Sequence, residues 1–224
     1  MANWLVSATL SSPLAGDAPY LDALLEFEMA QRQGKADKIL RGNECPPVGA
    51  VHIPCLRGSI GGVSGIPRCS APILAPECDR HEHFAKRLAV ENAELLHESQ
   101  RLVVATGNST FKSYRLPLRI RNVRDVRWFV GGAKRKNLLS LLDSVHAIGK
   151  KRSQGYGRVS EWEAVEVERD LSWFAETEHG TVLMRSLPWC DHLPKDLIGY
   201  RRDFGACQPP MWHPDRYMEI VIPS

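Results

Sequence analysis

Residues 148–159 read IGKKRSQGYGRV, three consecutive cations running into a loop with glycines on both sides of a tyrosine. Lys150, Lys151 and Arg152 supply charge for a phosphate backbone, with Arg158 just beyond them. Gly149, Gly155 and Gly157 let the chain approach a ligand closely. Gln154 offers hydrogen bonds to a base edge or a sugar, and Tyr156 offers a face for a base to stack on. These are the groups that single-stranded RNA needs. A dinucleotide fingerprint places its glycines between a strand and a following helix. Here a helical pattern precedes the glycines and a strand pattern follows them. No G-x-x-x-x-G-K-[ST] phosphate loop is present either. A helix cap or a solvated turn is the simpler alternative for the same stretch.

A second cluster has the residue types of a metal site. Cys69, Cys78, His81 and His83 fall close together among six cysteines in all, the others being Cys45, Cys55, Cys190 and Cys207. The C-x-x-C knuckles that make a structural zinc site are missing. An even cysteine count without a secretory signal is no evidence for disulfides. Scattered thiols are therefore expected, and no cofactor or metal is assigned.

The elements that must position these groups follow from periodicity. Trp4, Val6, Ala8 and Leu10 alternate on a first strand. Asp17 is placed to cap a helix that carries Pro19 in its first turn, Leu21, Leu24, Leu25 and Met29 on one face, and ends at Gly34. From Gly42 to Glu77 the chain is rich in Gly, Pro, Ser and Cys, with a brief strand at Ala50–Pro54. Phe84, Leu88 and Leu95 then suggest a helix over Asp79–Glu98. Two strands follow around a turn at Gly107 and Asn108. On the second, Tyr114, Leu116, Leu118 and Ile120 make an apolar face, and Arg115, Arg119 and Arg121 line the other. Pro117 makes this an edge strand or a projecting hairpin. Its arginines then meet a phosphate backbone, or else protect the edge from aggregation.

Val126, Trp128 and Val130 mark another strand, broken at Gly131–Gly132. A helix with Leu138, Leu139, Leu141, Leu142 and Val145 precedes the glycine loop, and a strand leaves it. The order is that of an α+β, ferredoxin-like domain over residues 1–169, with an insertion at about 42–100. Residues 170–224, closing in the strand-like YMEIVIPS, form a C-terminal extension packed on that core.

The 224 residues are 43% hydrophobic and 25% charged, as in ordinary globular proteins, and the net charge is only +3. Its distribution is uneven. Lys112–Arg158 holds thirteen Lys or Arg against two acids, which leaves the rest of the chain at −8. Such a block fits a localised anionic partner, most commonly nucleic acid, or a solvated face. The opening residues lack a basic targeting region, and no apolar run reaches about 18 residues. A cytoplasmic protein without a membrane partner is expected.

The glycine loop resembles that of the CRISPR-associated RAMP proteins, whose folds are built from ferredoxin-like, RNA-recognition-type domains. Residues 127–168, from RWFVGGAKRKN to EWEAVEVE, and the opening ATLSSPLAGDAPYLDALLEFEMAQ are together similar to the Cas-five-type (Csf-three-like) subunit of type IV CRISPR effector complexes. The resemblance covers under a third of the chain. It implies a structural subunit without enzymatic activity. Such a subunit holds the 5′ handle of the guide RNA (crRNA) and caps a filament of Cas-seven-type backbone subunits. It would sit beside a large, Cas-eight-like subunit, with target DNA and an accessory helicase as further contacts. The strand with Arg115, Arg119 and Arg121 is the candidate for the thumb with which these subunits kink the guide.

Some RAMP relatives instead cut precursor crRNA without metal, through attack of a 2′-hydroxyl on the adjacent phosphate. That reaction needs a base, often histidine, and cations at the phosphate. His52, His81, His83 and His146 precede or adjoin the loop, and no spacing among them singles out a catalytic cluster.

Overall fold

The computed structural model describes residues 2–34, 51–86, 113–211 and 213–224. The chain runs through β1 (Ala2–Leu10), β2 (Leu14–Ala15), α1 (Leu21–Arg32), β3 (Arg57–Ile60), β4 (Val63–Pro67), β5 (Ile73–Leu74), β6 (Cys78–Lys86), β7 (Tyr114–Asn122) and β8 (Asp125–Ala133). It continues through α2 (Arg135–Leu142), β9 (Val159–Val167), β10 (Phe174–Thr177), β11 (Gly180–Leu183), β12 (Leu187–Pro188), β13 (Leu197–Ile198), β14 (Tyr200–Gly205) and β15 (Met218–Pro223). With mostly antiparallel sheets and two helices among the described residues, the class is α+β.

The largest sheet has the order β5-β8-β1-β9, every neighbour antiparallel. The alternation of β1 does what period two requires: Trp4, Val6, Ala8 and Leu10 enter the first core together with Leu21, Leu24 and Leu25 of α1 and Leu138, Leu141 and Leu142 of α2. Trp128 stacks on Trp162 beneath this layer, their centroids 5.9 Å apart. Both indoles are satisfied, Trp128 donating to the Pro19 carbonyl at 3.1 Å and Trp162 to that of Val145 at 2.9 Å. Burying a tryptophan is favourable when its N–H keeps a partner.

The C-terminal segment builds a second core from Trp173, Leu183, Leu187, Cys207 and Val221, to which β4 lends Ile66. One ion pair ties the two cores. Arg185, beside the second core, donates to both carboxylate oxygens of Asp22 in α1, at 3.0 and 2.9 Å, and to the carbonyls of Cys69 and Cys207 at 2.8 and 2.9 Å. Both side chains are fully buried.

Several expectations change. Asp17 does not cap α1, whose N-cap is Tyr20 without a side-chain bond. Its carboxylate pairs with Arg121 instead. Val51 and Ile53 are buried but irregular rather than a strand. The glycine pair does not break β8, which runs through Gly131 and Gly132 to Ala133. Gly132 absorbs the local distortion with a φ of +64°, where β1 also shifts register between Ala2 and Trp4.

The helix expected from Asp79 is a strand as far as Lys86, and residues 87–98 lie outside the described residues. Of the apolar residues that suggested a helical stripe, this segment holds only Phe84. Its half-buried residues, Glu82 and Phe84, are two apart, and β7 supplies the ladder. The expected turn at Gly107 and Asn108, and the strand before it, also lie outside the described residues.

Candidate nucleic-acid interface

β6 and β7 form an antiparallel ribbon in continuous register from Cys78 opposite Asn122 to Lys86 opposite Tyr114. β2 covers the other side of β7 only at Ile120 and Arg121. Formally β7 is the middle of three strands, yet from Tyr114 to Leu118 it has a single neighbour among the described residues. Pro117, which has no N–H to donate, lies in that one-sided stretch.

The ribbon's two faces differ in chemistry because directly opposed residues share a face. One face carries Glu82 opposite Leu118 and Phe84 opposite Leu116. Leu118 and Ile120 are buried there against Ala15, with Phe84 and Tyr156 packed around them. The other face presents His81 opposite Arg119, His83 opposite Pro117, and Ala85 opposite Arg115, all of them exposed.

The arginines of β7 thus have different fates. Arg115 is exposed and has no ion-pair partner among the described residues. Arg119 is exposed but donates through Nε to Asp79 Oδ2 at 2.6 Å, and this bond holds the Asp79 carboxyl below the usual carboxylate range. Arg121, expected to point outward, is only 7% exposed and pairs with Asp17, whose side chain is 85% exposed.

The glycine loop is docked on the ribbon's apolar face. Its neck closes through Ile148 N to Gly157 O at 2.8 Å and Val159 N to His146 O at 2.9 Å. It then lies along residues 11–16, with Lys150 N donating to Ala15 O at 2.7 Å and Gly157 N to Pro13 O at 2.8 Å. Arg158 N donates to Ser12 Oγ at 2.8 Å.

Two residues fasten the loop to the ribbon. Tyr156, half-buried, donates its hydroxyl to Glu82 Oε2 at 3.1 Å and meets Phe84 edge to face at 6.2 Å. Burial, helped by the bond to Glu82, raises its pKa. Lys151, in a left-handed conformation at φ +57°, holds its ammonium 4.3 Å from the centre of the Phe84 ring. That is a cation–π contact. The tyrosine expected to offer an open stacking face is thereby engaged within the protein.

The glycines divide in the same way. A Cβ on Gly157 would stand 1.9 Å from the Ile148 carbonyl oxygen, so this position serves the neck rather than a ligand. Gly149 is similarly hemmed in by Leu14 and Ala15. At Gly155 the nearest atom to a Cβ is 3.9 Å away, which leaves its backbone open to a ligand. Around it Lys150, Arg152, Gln154 and Arg158 are exposed, and none of these three cations has an ion-pair partner among the described residues.

The structure therefore fastens the loop to one face of the ribbon, while Arg115 and Arg119 lie on the opposite face. The sequence reading missed the fasteners, Glu82 and Phe84, and the acids Asp17 and Asp79. The alternation in CDRHEHFAK was the one signal for Asp79, Glu82 and Phe84, and nothing local signalled the pairing of Asp17.

The suspected zinc ligands separate. Cys69 is fully buried in the first core, while Cys78, His81 and His83 are exposed on the ribbon. Among the described residues no group of three or more His, Cys, Asp or Glu is arranged to hold a metal ion. His146 is exposed at the neck of the glycine loop, and His52 is exposed elsewhere. Among the described residues, no helix is long and apolar enough to cross a membrane.

Residues 77–223, from the start of the ribbon to the last strand, match the family model described as CRISPR type IV associated protein Csf3. No curated protein matches the chain.

Proposed function

The chain belongs to the Csf3 family of CRISPR type IV associated proteins, and from that premise we propose that it binds the 5′ handle of the crRNA and caps the backbone filament of a type IV complex. One observation carries the reading. The exposed cations Lys150, Arg152 and Arg158, with Gln154 and the open backbone at Gly155, are fastened to a ribbon whose free face presents Arg115, His81 and His83. Charges without internal partners, held at fixed spacing, suit a single strand's phosphates better than they suit a stable fold.

The strand order β9-β1-β8-β5, with helices following β1 and β8, supports reading the first core as a ferredoxin-like domain of RAMP type. In that reading the β6–β7 ribbon leaves the domain as a thumb. The role brings Cas-seven-type subunits, a large Cas-eight-like subunit, target DNA and a helicase into reach as partners.

The test is to mix the purified protein with its cognate repeat RNA in EDTA, and to follow retardation on one gel and cleavage on another. Retarded, intact RNA is expected. Absence of retardation at moderate salt overturns the reading.

A second reading, metal-independent cleavage of precursor crRNA, has one observation in its favour: His81 stands directly opposite Arg119, with His83 two residues along on the same face. A histidine to take the 2′-hydroxyl proton beside a cation for the phosphate is what that reaction needs. Cleavage in EDTA that disappears in His81→Ala supports it. Intact RNA rejects it.

A further inference from the structure

Where the two cores meet, a cavity of about 480 Å³ opens between Ala71, Ile73, Leu183 and Met184, with Arg121 and Asp17 as its charged members. Its size lies within the range of about 300–1,000 Å³ typical of small-molecule sites, and a mainly apolar wall with few polar groups is the usual make-up of one. Arg121 belongs to β7 and Met184 to the segment after β11, so neither core forms this site alone.

The charged pair is arranged unlike an ordinary structural ion pair. The Arg121 guanidinium is buried, but its carboxylate partner, Asp17, stands almost entirely in water. The Nε of Arg121 is enclosed and without a hydrogen-bond partner among the described residues, so a further acceptor in the cavity meets the terminal nitrogens. A buried cation with a single, solvated counter-ion retains capacity for another acceptor.

Cations flank the opening on two sides. The alkyl chain of Lys150 lies over Gly16, next to Asp17, so closely that a Cβ there would be 2.8 Å from Lys150 Cδ. On the other side, a cleft of about 200 Å³ shares Ile73 and Leu74 with the cavity and carries Arg124, together with Arg127 paired to Asp125.

We infer that the cavity receives a single unstacked nucleobase of the bound RNA, gripped by aliphatic side chains and accepting a hydrogen bond from Arg121 through a ring carbonyl. The backbone phosphates on either side of that nucleotide rest near Lys150 and Arg124. Bases taken out of a stack are held in this way between apolar side chains and a donor to one edge. This inference rests on the RNA-binding reading above, and names where one base of that RNA goes.

Among the described residues the cavity wall contains no aromatic ring, which gives the test its readout. Repeat RNA is prepared with 2-aminopurine at each position in turn, and fluorescence is recorded as the full-length protein is added. A base pulled from its stack into an aliphatic pocket brightens several-fold. One position is expected to brighten, and Ala71→Leu, which narrows the cavity from its wall, is expected to abolish the change while the RNA is still retarded on a gel.

Ile73→Trp is the companion variant should Ala71→Leu fail to fold. Ile73 is 39% exposed at the rim, and a tryptophan there blocks the mouth or quenches a base within it. RNA that is retarded with no position brightening, or a change that persists in both variants, overturns the inference and leaves the cavity to an apolar side chain of a partner subunit. RNA that is not retarded at all defeats the RNA-binding reading itself, and this inference with it.

Discussion

The seam between the two cores and the ribbon both use arginine–aspartate pairs, to opposite ends. At the seam, Arg185 and Asp22 are wholly buried, and the guanidinium makes four hydrogen bonds to fixed acceptors. On the ribbon, Asp79 holds an exposed arginine, while Asp17 reaches a buried one from solvent. A buried carboxylate cannot be exchanged for a ligand, because its departure would strand a desolvated cation. Asp79 can leave at little cost, because Arg119 is solvated and the pairing is weak in water, whereas the departure of Asp17 would leave Arg121 buried without its counter-ion. The first arrangement locks the fold; in the second, on the RNA-binding proposal, Arg119 exchanges Asp79 for a phosphate.

The sharpest way to break this comparison is through stability. Asp22→Ala should destabilise the protein by about 3–5 kcal/mol, since it leaves Arg185 buried and unpaired. Asp79→Ala should lower stability only slightly, its pair being exposed. Urea unfolding of both variants checks the pair, and equal losses would dissolve the distinction.

The next effect concerns the loop. Gly157→Ala should cost more than the roughly 1–2 kcal/mol of a left-handed alanine, because its Cβ meets the Ile148 carbonyl. Gly155→Ala should cost only that conformational penalty. Thermal melts that rank the two the other way would show that the neck does not hold the loop.

Binding supplies the third measurement. Lys150→Gln and Arg152→Gln should each weaken RNA retention and flatten the dependence of log affinity on log salt by about 0.7 per lost phosphate contact. Tyr156→Phe removes the bond to Glu82 but keeps the ring, so it should loosen the loop with a smaller loss of affinity. A salt slope unchanged in both cation variants would remove the loop from the interface.

The smallest effect has the opposite sign. Asp79→Asn should tighten RNA binding modestly, because Arg119 no longer has an internal carboxylate to leave. Affinity that falls instead would make the ion pair a positioning device rather than a placeholder.

The amino-acid order by itself determined the elements whose signal is local. Alternation in β1 and β7, the leucine stripes of α1 and α2, and the basic loop between α2 and β9 all depend on residues a few positions apart. Side-chain periodicity reports such neighbours directly.

Only the tertiary structure decided which of these groups remain available. Tyr156 was legible as a stacking residue, yet Phe84 and Glu82, more than seventy positions earlier, engage it. Arg121 was legible as one of three outward cations, yet Asp17 and the meeting of two cores bury it. β6 reads as a helix from sequence because its ladder partner lies 28 to 44 positions further along the chain. Burial and pairing between distant segments leave no periodic trace, so the charges a sequence displays exceed the charges a folded surface offers.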